Sequence, residues 1–577
     1  MSLPAFIGRC CCKDMGLSEP SEHKDPFCRD RLPATSVMPD FLQHGEGNSS
    51  YPVELNAAVE LSDVMAACGY GDKVALIGAG QHFTYADVVM WSNKIARVLV
   101  DDIGIVPGNR VLIRSYNNPV HVICWLAATK AGAVVINTAP QLRARELQQI
   151  IDEAAVEYAL CDLRLRDALE ACQSQREGQS QDQSQKKALR HIVFFDGRDI
   201  EAGDLGARAH KKRPDFCAAK TSRDDVALMA ATSGSTGTPK ITMHYHRDIL
   251  AIADGYAADI LRIRPEDKII GTPPLAFTYG LGALAVFPLR FGASAILEEH
   301  LRPEDMCQQI TAHQASLCFS SPAAYRMMLD AMAHEDFAVA DLSSLRAGVS
   351  AGDTLPAPVY EAWQRQIGVP LLDGIGSTEM LHIFISNRLD EHEAACTGRP
   401  VRGYVAKVVD ERGETLPKGQ AGRLAVKGPT GCRYLHGKEQ TRYVQDGWNY
   451  TGDCFYQDEG GRFHFVARMD EMIISSGYNI AGREVEAALL THRDVLECAV
   501  IGVPDELRGA IVEAHVVLRA GLSPTDAKVR QLQDHVKAVI APYKYPRSIV
   551  FRESLPKTET GKMQRYLLQR SGHGQEG

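Results

Sequence analysis

Short runs of β-branched and aliphatic residues alternate with helical patterns along most of this chain. Four such runs are typical of buried strands: residues 110–113, 133–137, 191–195 and 226–230. Strands that alternate with helices indicate α/β layers in which the strands are largely parallel. We therefore predict the α/β fold class for the larger part of the protein.

The pattern changes near Asp470, where a second set of elements begins. This set comprises a helix entry at 479–486, strands at 498–503 and 514–518, and a helix over 528–540. A compact group of this kind forms an α+β unit with its own core. We predict that it is a small C-terminal domain.

The predicted boundaries follow from these changes in pattern. The large N-terminal domain spans 46–469 and the small domain spans 470–577. Residues 1–45 show little periodicity and are predicted to be a disordered or extended tail. The polar, low-complexity stretch 173–187 is predicted to be a surface insertion, because it cannot bury a core face.

Composition narrows the class of protein without naming a function. The 577 residues are too many for one core, and 45% apolar with 23% charged residues is typical of a soluble protein. A net charge of −9 argues against nucleic acid as a partner, and no apolar run reaches the ~20 residues that span a bilayer. The 15 cysteines are scattered, without zinc spacing, so we expect reduced thiols in a cytoplasmic protein. The triplet at residues 10–12 is left open between a metal or lipid site and a simple thiol-bearing tail.

The stretch from Thr232 to Lys240 carries the clearest chemistry. It holds two glycines, five hydroxyl side chains and a terminal lysine, directly after a predicted strand. Glycines allow backbone N–H groups to converge, and hydroxyls and an ammonium add donors, so this loop can cradle a triphosphate. The spacing is not that of a P-loop. A flexible Ser/Gly linker is the alternative, and the motifs downstream argue against it.

Four later motifs follow in order: Gly376–Glu379, Tyr450–Asp453, Ala467–Glu471 and Pro556–Lys562. Together with the loop, they resemble the signatures of the adenylate-forming superfamily, which includes acyl-CoA synthetases, luciferases and the adenylation domains of peptide synthetases. The resemblance covers approximately residues 50–570. It implies a large N-terminal multi-subdomain α/β adenylation domain and a small, mobile C-terminal α+β lid.

The resemblance implies a role for each matching residue in ATP binding. Thr236, Gly237 and Lys240 would hold the β- and γ-phosphates, and Asp453 would accept the ribose hydroxyls beside Arg468. The full set of implied ATP contacts is Thr232, Ser233, Gly234, Ser235, Thr236, Gly237, Lys240, Gly352, Asp353, Asp373, Gly374, Ile375, Asp453 and Arg468. The family often has glutamate where this chain has Asp353.

The implied catalytic residues are Lys562, Thr378 and Glu379. Lys562 resembles the adenylation lysine, Thr378 the α-phosphate contact, and Glu379 the Mg²⁺ ligand. An ammonium between the substrate carboxylate and the α-phosphate would offset the repulsion of two anions. A solvated surface lysine and a carboxylate at a helix N-terminus are the alternatives for Lys562 and Glu379.

The resemblance implies two half-reactions: the acid is first joined to AMP, and the acyl group is then transferred to coenzyme A in the same site. By resemblance, Asp470 is the hinge around which the lid rotates to withdraw Lys562. The implied CoA contacts are Ser475, Ser476, Gly477, Lys544 and Arg547, with Arg508 as a further candidate. Solvated surface is the alternative for these basic residues.

Two stretches, 271–282 and 376–384, resemble benzoate-type ligases, and the fit is best to those for 2-aminobenzoate. The resemblance implies a flat aryl slot lined by Tyr279, Ala351, Gly376, His382 and Ile383. An aromatic wall opposite small residues suits a planar ring. His382 is interpreted as orienting the carboxylate, with a buried structural histidine as the alternative.

We therefore predict an aryl-acid–CoA ligase that uses ATP, Mg²⁺ and coenzyme A on a small aromatic carboxylic acid, with 2-aminobenzoate or salicylate as the best candidates. Three alternatives stay open. The enzyme activates another small carboxylic or medium-chain acid, it loads a carrier protein, or the chain is a non-catalytic relative that serves as an interaction protein. We expect no nucleic acid and no membrane partner, and a homodimer is left open.

Overall fold

The computed structural model of the chain describes residues 21–42, 51–177, 189–232, 239–333, 341–475, 478–505, 508–557 and 563–571. Within these residues the fold is α/β over the first 470 positions and α+β beyond them. Both classes agree with the predicted ones.

The strands, in chain order, are β1 (Val74–Gly78), β2 (Gln81–Thr84), β3 (Arg110–Arg114), β4 (Val134–Thr138), β5 (Tyr158–Asp162), β6 (His191–Phe195), β7 (Val226–Thr232), β8 (Lys240–Tyr245), β9 (Lys268–Gly271), β10 (Ser294–Ile296), β11 (Leu317–Ser320), β12 (Ala347–Ser350), β13 (Leu371–Gly376), β14 (Ile383–Ser386), β15 (Arg399–Pro400), β16 (Val405–Val409), β17 (Gly422–Lys427), β18 (Val444–Gln445), β19 (Trp448–Gln457), β20 (Phe463–Arg468), β21 (Met472–Ser475), β22 (Tyr478–Ala481), β23 (Val495–Asp505), β24 (Gly509–Leu518) and β25 (Ser548–Phe551).

The helices, in chain order, are α1 (Ala57–Leu61), α2 (Asp63–Met65), α3 (Tyr85–Arg97), α4 (Pro119–Lys130), α5 (Ala144–Glu153), α6 (Arg166–Glu177), α7 (Gly203–His210), α8 (His246–Ile252), α9 (Thr278–Leu281), α10 (Phe287–Arg290), α11 (Pro303–His313), α12 (Pro322–Met332), α13 (Ala357–Gln366), α14 (Gly437–Tyr443), α15 (Gly482–Leu490), α16 (Asp526–Val539) and α17 (Arg565–Ser571). Wider π-type turns continue several of them, including Ala253–Ile260 after α8 and Gly282–Val286 after α9.

Two large sheets, mainly parallel, carry the N-terminal part of the protein. One has the order β15-β14-β13-β12-β11-β9-β10-β1-β2, and the other the order β6-β5-β3-β4-β7-β8. Their inner strands are buried on both faces, as β3 and β4 show, and this is what parallel sheets covered by helices require. The four strand runs predicted from the hydrophobic pattern correspond to β3, β4, β6 and β7.

A third sheet is antiparallel, with the order β16-β17-β19-β18 and with β20 paired to β19. The C-terminal unit has its own sheet, β22-β21-β24-β23, to which β25 adds in parallel. Two buried clusters lie entirely in this unit, a larger one around Val485, Val512 and Leu532 and a smaller one that includes Val517 and Leu568. The predicted strands and the long helix of the unit are confirmed as β23, β24 and α16.

The helix entry predicted over 479–486 is wrong in its first residues. Tyr478–Ala481 is a strand, β22, and the helix begins at Gly482. Four residue pairs join β22 to β21, from Met472↔Ala481 to Ser475↔Tyr478. Pairing with a neighbouring strand decided the conformation, and the local pattern of apolar residues does not reveal it.

The N-terminal segment 21–42 lies against the large domain and contains two short 3₁₀ turns, Arg29–Arg31 and Thr35–Val37. Asp25 forms an ion pair with the buried Arg110 at 2.5 Å, and the Leu42 N–H donates to the Gly428 carbonyl at 2.9 Å. The Gln440 side chain donates to the Val37 carbonyl at 2.9 Å. The rest of the predicted tail, the cysteine triplet and most of the 173–187 insertion lie outside the described residues. In the part of the chain that the structure describes, every helix is too short or too polar to cross a membrane.

Candidate active site

The proposed phosphate loop closes a β-hairpin. Strands β7 and β8 are antiparallel, and their last paired residues are Thr232 and Lys240. The hairpin thus places Lys240 directly across from the residue at which the loop begins. The loop residues Ser233, Gly234, Ser235, Thr236 and Gly237 lie outside the described residues, and their phosphate contacts stay predictions.

Glu379, the predicted magnesium ligand, is half-buried on the loop that follows β13. The Tyr434 hydroxyl donates a hydrogen bond to its Oε1 at 2.5 Å. Two positions earlier, the Ser377 hydroxyl is hydrogen bonded to that of Tyr443 at 3.1 Å. Two tyrosines therefore hold the loop that carries Thr378 and Glu379.

The donor set at Glu379 fits a magnesium ion. Mg²⁺ prefers hard oxygen ligands and keeps several waters, so one carboxylate together with phosphate oxygens is an adequate site. When bound there, the ion would neutralise charge on the phosphates during displacement at the α-phosphorus. Lys240 is a second positive charge at this place, with Nζ 5.9 Å from the centre of the Tyr434 ring.

A network of buried charged side chains joins the end of β8 and the helix α8 to Arg433. Arg433 donates from Nη1 to Asp248 at 2.6 Å, and both side chains are fully buried. His244, also fully buried, lies 4.0 Å from Asp248, and burial lowers its pKa to about 4. The Arg433 guanidinium covers the Tyr245 ring at 3.7 Å. These contacts fix β8 and the strand-like segment 432–435 against each other.

Asp453 and Arg468 meet on neighbouring strands. They are paired across β19 and β20, and Arg468 Nη1 donates to Asp453 Oδ1 at 2.9 Å and to the Thr451 carbonyl at 3.0 Å. Gly452 has φ 79°, and a Cβ there would lie 3.1 Å from the guanidinium of Arg468. A carboxylate held by a guanidinium can accept two vicinal hydroxyls, as the predicted ribose site requires.

The predicted adenine segments lie on neighbouring strand ends. Ser350 and Asp373 pair across β12 and β13, and Gly374 and Ile375 continue β13. Burial, assisted by the charge of Asp353, raises the pKa of Asp373 to about 8. Gly352 has φ 88°, and a Cβ there would meet nothing within 4 Å, so the backbone is open on that side.

Asp353 has a partner in the C-terminal unit. Arg483 at the start of α15 forms an ion pair with it at 2.6 Å. Another guanidinium, that of Arg326 on α12, donates to the Leu496 carbonyl. The C-terminal unit therefore packs on the large domain next to the predicted adenine site, and Asp353 takes part in that contact.

The residues predicted to form the aryl slot lie close to His382. The Tyr279 hydroxyl donates to the Ser320 and Val349 carbonyls at 3.3 and 3.2 Å, and the Ala351 N–H donates to the same Ser320 carbonyl. A Cβ on Gly376 would lie 2.6 Å from the His382 carbonyl. Ile383 is buried and packs under Gly374. The structure thus brings together all five residues that the resemblance implied for the slot.

His382 is 2% exposed and lies among three aromatic rings. Its ring centre is 4.6 Å from that of Phe287, 5.5 Å from Tyr279 and 5.7 Å from Tyr256. Burial lowers its pKa to about 3, so the imidazole is neutral near pH 7. Its Nε2 lies 3.3 Å from the Tyr279 carbonyl, which can only accept, so Nε2 carries the proton. Its Nδ1 is then unprotonated and carries a lone pair, and it has no hydrogen-bond partner among the described residues.

Leu381 lies between Glu379, the predicted magnesium ligand, and this histidine. It has φ 71°, a left-handed conformation that is uncommon for a branched side chain, and it is 1% exposed. The conformation costs of order 1–2 kcal/mol. It turns the chain sharply between Glu379 and His382, so the residues predicted to face the phosphates and the acid lie within four positions of each other.

The lid residues are described only in part. Ser475 is buried at the end of β21, where it pairs with Gly509 on β24. Lys544 holds both oxygens of Glu484 at 2.6 Å, and Arg547 covers the Tyr545 ring at 5.1 Å. A CoA phosphate at Lys544 would have to compete with Glu484. Ser476, Gly477 and Lys562, like the side chain of Asp470, lie outside the described residues, and their roles stay predictions.

One further group of metal-ligand type lies among the described residues: Glu393, Cys396 and His464. It is already occupied by protein contacts. Arg462 forms an ion pair with Glu393 at 2.8 Å, and His464 Nε2 lies 3.1 Å from Asp458. A cation would have to displace a guanidinium, so this group does not compete with Glu379 as the magnesium site.

A large α/β domain is followed by a small α+β unit, and the predicted nucleotide and acid residues lie on neighbouring strand ends of the large domain, an arrangement that indicates an adenylate-forming enzyme. Residues 65–434 match the model of the AMP-binding enzyme family, and residues 484–562 match that of the AMP-binding enzyme C-terminal domain. The chain belongs to this family and is an AMP-forming acyl-CoA synthetase, an acid–thiol ligase. ATP, Mg²⁺ and coenzyme A are the substrates and cofactor that the family uses.

Three relatives show how far the similarity extends. The chain is 36% identical to the benzoate–CoA ligase of Thauera aromatica over 521 residues, which are 90% of this chain and 96% of that protein. It superposes on the crystal structure of the anthranilate CoA ligase AuaEII in complex with anthranoyl-AMP with a TM-score of 0.83, at 30% identity, covering 91% of this chain and 99% of the other. For a benzoate CoA ligase from Burkholderia xenovorans LB400 the TM-score is 0.79, at 30% identity, with 89% and 100% covered.

Proposed function

We propose that this protein is an aryl-acid–CoA ligase whose substrate is a benzoate-type acid with a hydrogen-bond donor in the ortho position, 2-aminobenzoate or salicylate. A carboxylate oxygen of the acid attacks the α-phosphorus of ATP, and pyrophosphate leaves. The thiol of coenzyme A then attacks the acyl carbon of the adenylate, its proton passes to solvent, and AMP leaves.

The residues of the site divide this work between them. Lys240 and the loop before it neutralise the phosphates, Asp453 with Arg468 holds the ribose, and Glu379 is the ligand for Mg²⁺. Lys562 bridges the acid and the α-phosphate in the first lid position. A planar ring enters between Tyr279 and the glycines of β13.

The observation that carries the choice of acid is the state of His382. Because Nε2–H donates to the Tyr279 carbonyl, the unpartnered Nδ1 is an acceptor. An acceptor suits an amino or hydroxyl group of the acid better than its carboxylate, so we revise the interpretation of His382 from a carboxylate-orienting residue to a partner of the ortho substituent. One related structure supports this choice, because AuaEII is an anthranilate CoA ligase solved with anthranoyl-AMP, and anthranilate is 2-aminobenzoate.

The test is ATP–pyrophosphate exchange with benzoate, 2-aminobenzoate, salicylate and octanoate, followed by thioester formation with CoA. Leaving a buried acceptor without a partner costs about 1–3 kcal/mol, so the ortho-donor acids should exceed benzoate in kcat/KM by roughly fivefold or more. His382→Phe keeps a planar ring and removes the acceptor. For this variant, the ratio of kcat/KM for 2-aminobenzoate to kcat/KM for benzoate should fall below the wild-type ratio.

Each alternative has its own outcome. Highest turnover with octanoate would replace the aryl acid by a medium-chain acid. Adenylation of an aryl acid without transfer to CoA would favour a carrier protein as the acceptor. If no acid supports exchange, the chain is a non-catalytic relative.

A further inference from the structure

Tyr434 is a residue that the sequence motifs did not single out, yet it lies between two of the predicted active-site groups. Its hydroxyl donates to Glu379 Oε1, and its ring faces the ammonium of Lys240 at 5.9 Å. The side chain is 5% exposed, and its ring also packs edge-on against Tyr443 at 5.9 Å. One rigid side chain therefore contacts both the phosphate lysine and the carboxylate.

The backbone of Tyr434 is fixed from two directions. It forms an isolated bridge with Thr242 of β8, and the next residue, Leu435, donates its N–H to the Ile241 carbonyl at 2.9 Å. Its own N–H donates to the buried Gln440 side chain at 2.9 Å. Since β8 begins with Lys240, this pairing sets the position of Tyr434 relative to the phosphate hairpin.

The loop of Glu379 is held by its neighbours, and the Glu379 carboxylate accepts a hydrogen bond from Tyr434. Glu379 itself is half-buried and has a flexible side chain with three torsions. A neutral hydroxyl donor restricts this side chain and leaves its negative charge in place. Partners of this kind, which orient a metal ligand without touching the metal, typically change metal affinity or activity by 10- to 100-fold when removed.

We propose that Tyr434 is a positioning residue for the metal: its hydroxyl orients Glu379 toward Mg²⁺, and its ring aligns Lys240 with the same phosphates. The inference rests on the proposed function, in which Glu379 is the magnesium ligand. It differs from a purely structural role for the hydroxyl, which would affect folding and nucleotide binding equally with and without the metal.

The test is Tyr434→Phe, which keeps the ring beneath Lys240 and removes only the hydroxyl. Binding of α,β-methylene-ATP, which cannot release pyrophosphate, is titrated by calorimetry at limiting Mg²⁺, at saturating Mg²⁺ and in EDTA. We expect affinity about 10-fold below wild type at limiting Mg²⁺, a deficit that shrinks as Mg²⁺ saturates, and no deficit in EDTA. In pyrophosphate exchange, the Mg²⁺ concentration for half-maximal rate should rise by a similar factor.

Tyr85→Phe is the matched control. Tyr85 is also buried, and its hydroxyl donates to the Pro288 and Ala293 carbonyls at 3.1 and 2.9 Å, away from the phosphate hairpin. It should lower the melting temperature as a buried hydroxyl loss does, without changing the Mg²⁺ dependence. An equal loss for Tyr434→Phe in EDTA and in Mg²⁺, or an unchanged Mg²⁺ requirement, would overturn the proposal.

Glu379→Gln separates this inference from the function on which it rests. If Glu379→Gln raises the Mg²⁺ requirement and Tyr434→Phe does not, only the role of Tyr434 fails. If neither variant changes it, Glu379 is not the metal ligand. If the wild-type protein shows no acid-dependent exchange at all, the proposed function itself fails.

Discussion

Gly282 has no side chain and so leaves space for the ring of His382. We expect aryl-acid binding in the proposed slot to depend on this space. A Cβ at Gly282 would lie 2.4 Å from His382 Cδ2 and 2.8 Å from its Nε2. Carbon atoms pack at about 3.5–4.0 Å, so the imidazole would have to move by about 1 Å. The backbone itself permits alanine, since Gly282 has φ −60° and ψ −54°.

The imidazole has little room for such a movement. It is 2% exposed and lies against Phe287 and Tyr279, and its Nε2 donates to the Tyr279 carbonyl. Overpacking of a site like this costs about 1–3 kcal/mol. We therefore expect Gly282→Ala to lower kcat/KM for aryl acids by roughly 5- to 150-fold, because the displaced ring narrows the slot.

The assay is pyrophosphate exchange with varied acid at saturating ATP, beside a direct titration of α,β-methylene-ATP. Affinity for the nucleotide should stay close to that of the wild type, since the clash is on the acid side of Leu381. Gly71→Ala is the control, because a Cβ there would make only an ordinary contact, 3.7 Å from the Ala66 carbonyl. If Gly282→Ala keeps wild-type kcat/KM for every aryl acid, His382 does not border the bound ring and the reasoning is wrong.

Three other predictions concern the nucleotide, the pH dependence and the lid. Asp453→Ala removes a carboxylate that Arg468 holds at 2.9 Å, and the KM for ATP should rise roughly 10- to 100-fold in pyrophosphate exchange, since charged hydrogen bonds contribute about 1.5–3 kcal/mol; an unchanged KM would refute the ribose site. Burial raises the pKa of Asp373 from 3.8 to about 8, so the folded state holds this proton more tightly and the resulting stability is lost as pH rises from about 4 to about 8. The Asp373→Asn variant has no carboxyl at this position and keeps its stability, so its melting temperature minus that of the wild type should increase over this range and level off above pH 8. A difference that stays constant with pH would show that the carboxyl is not protonated. Lys562→Ala should abolish adenylation while thioester formation from a supplied aryl-adenylate continues, and equal loss of both half-reactions would show that the lysine is structural.

Local sequence determined the elements and the order of the site. The apolar runs that became β3, β4, β6 and β7 are buried on their covered faces, and such runs have few other stable conformations in a soluble protein. The glycines and hydroxyls after β7 predict a phosphate loop because adjacent residues carry that chemistry. For the same reason, Asp453 and Arg468 were recognisable from short motifs before their pairing across β19 and β20 was known.

Tertiary structure alone decided which side chains contact and position the predicted site residues. Tyr434 meets Glu379 across 55 positions, Gly282 meets His382 across 100, and Arg433 meets Asp248 across 185. No local pattern marks such pairs, because each depends on how separate strands and turns pack, and the strand β22 was mistaken for a helix entry for the same reason. The protonation of His382 is likewise a tertiary property: one carbonyl on a distant helix decides which nitrogen carries the proton, and three aromatic rings keep the imidazole neutral. The sequence thus determined what kind of chemistry the protein performs, whereas packing decided how its predicted metal ligand and predicted acid slot are held.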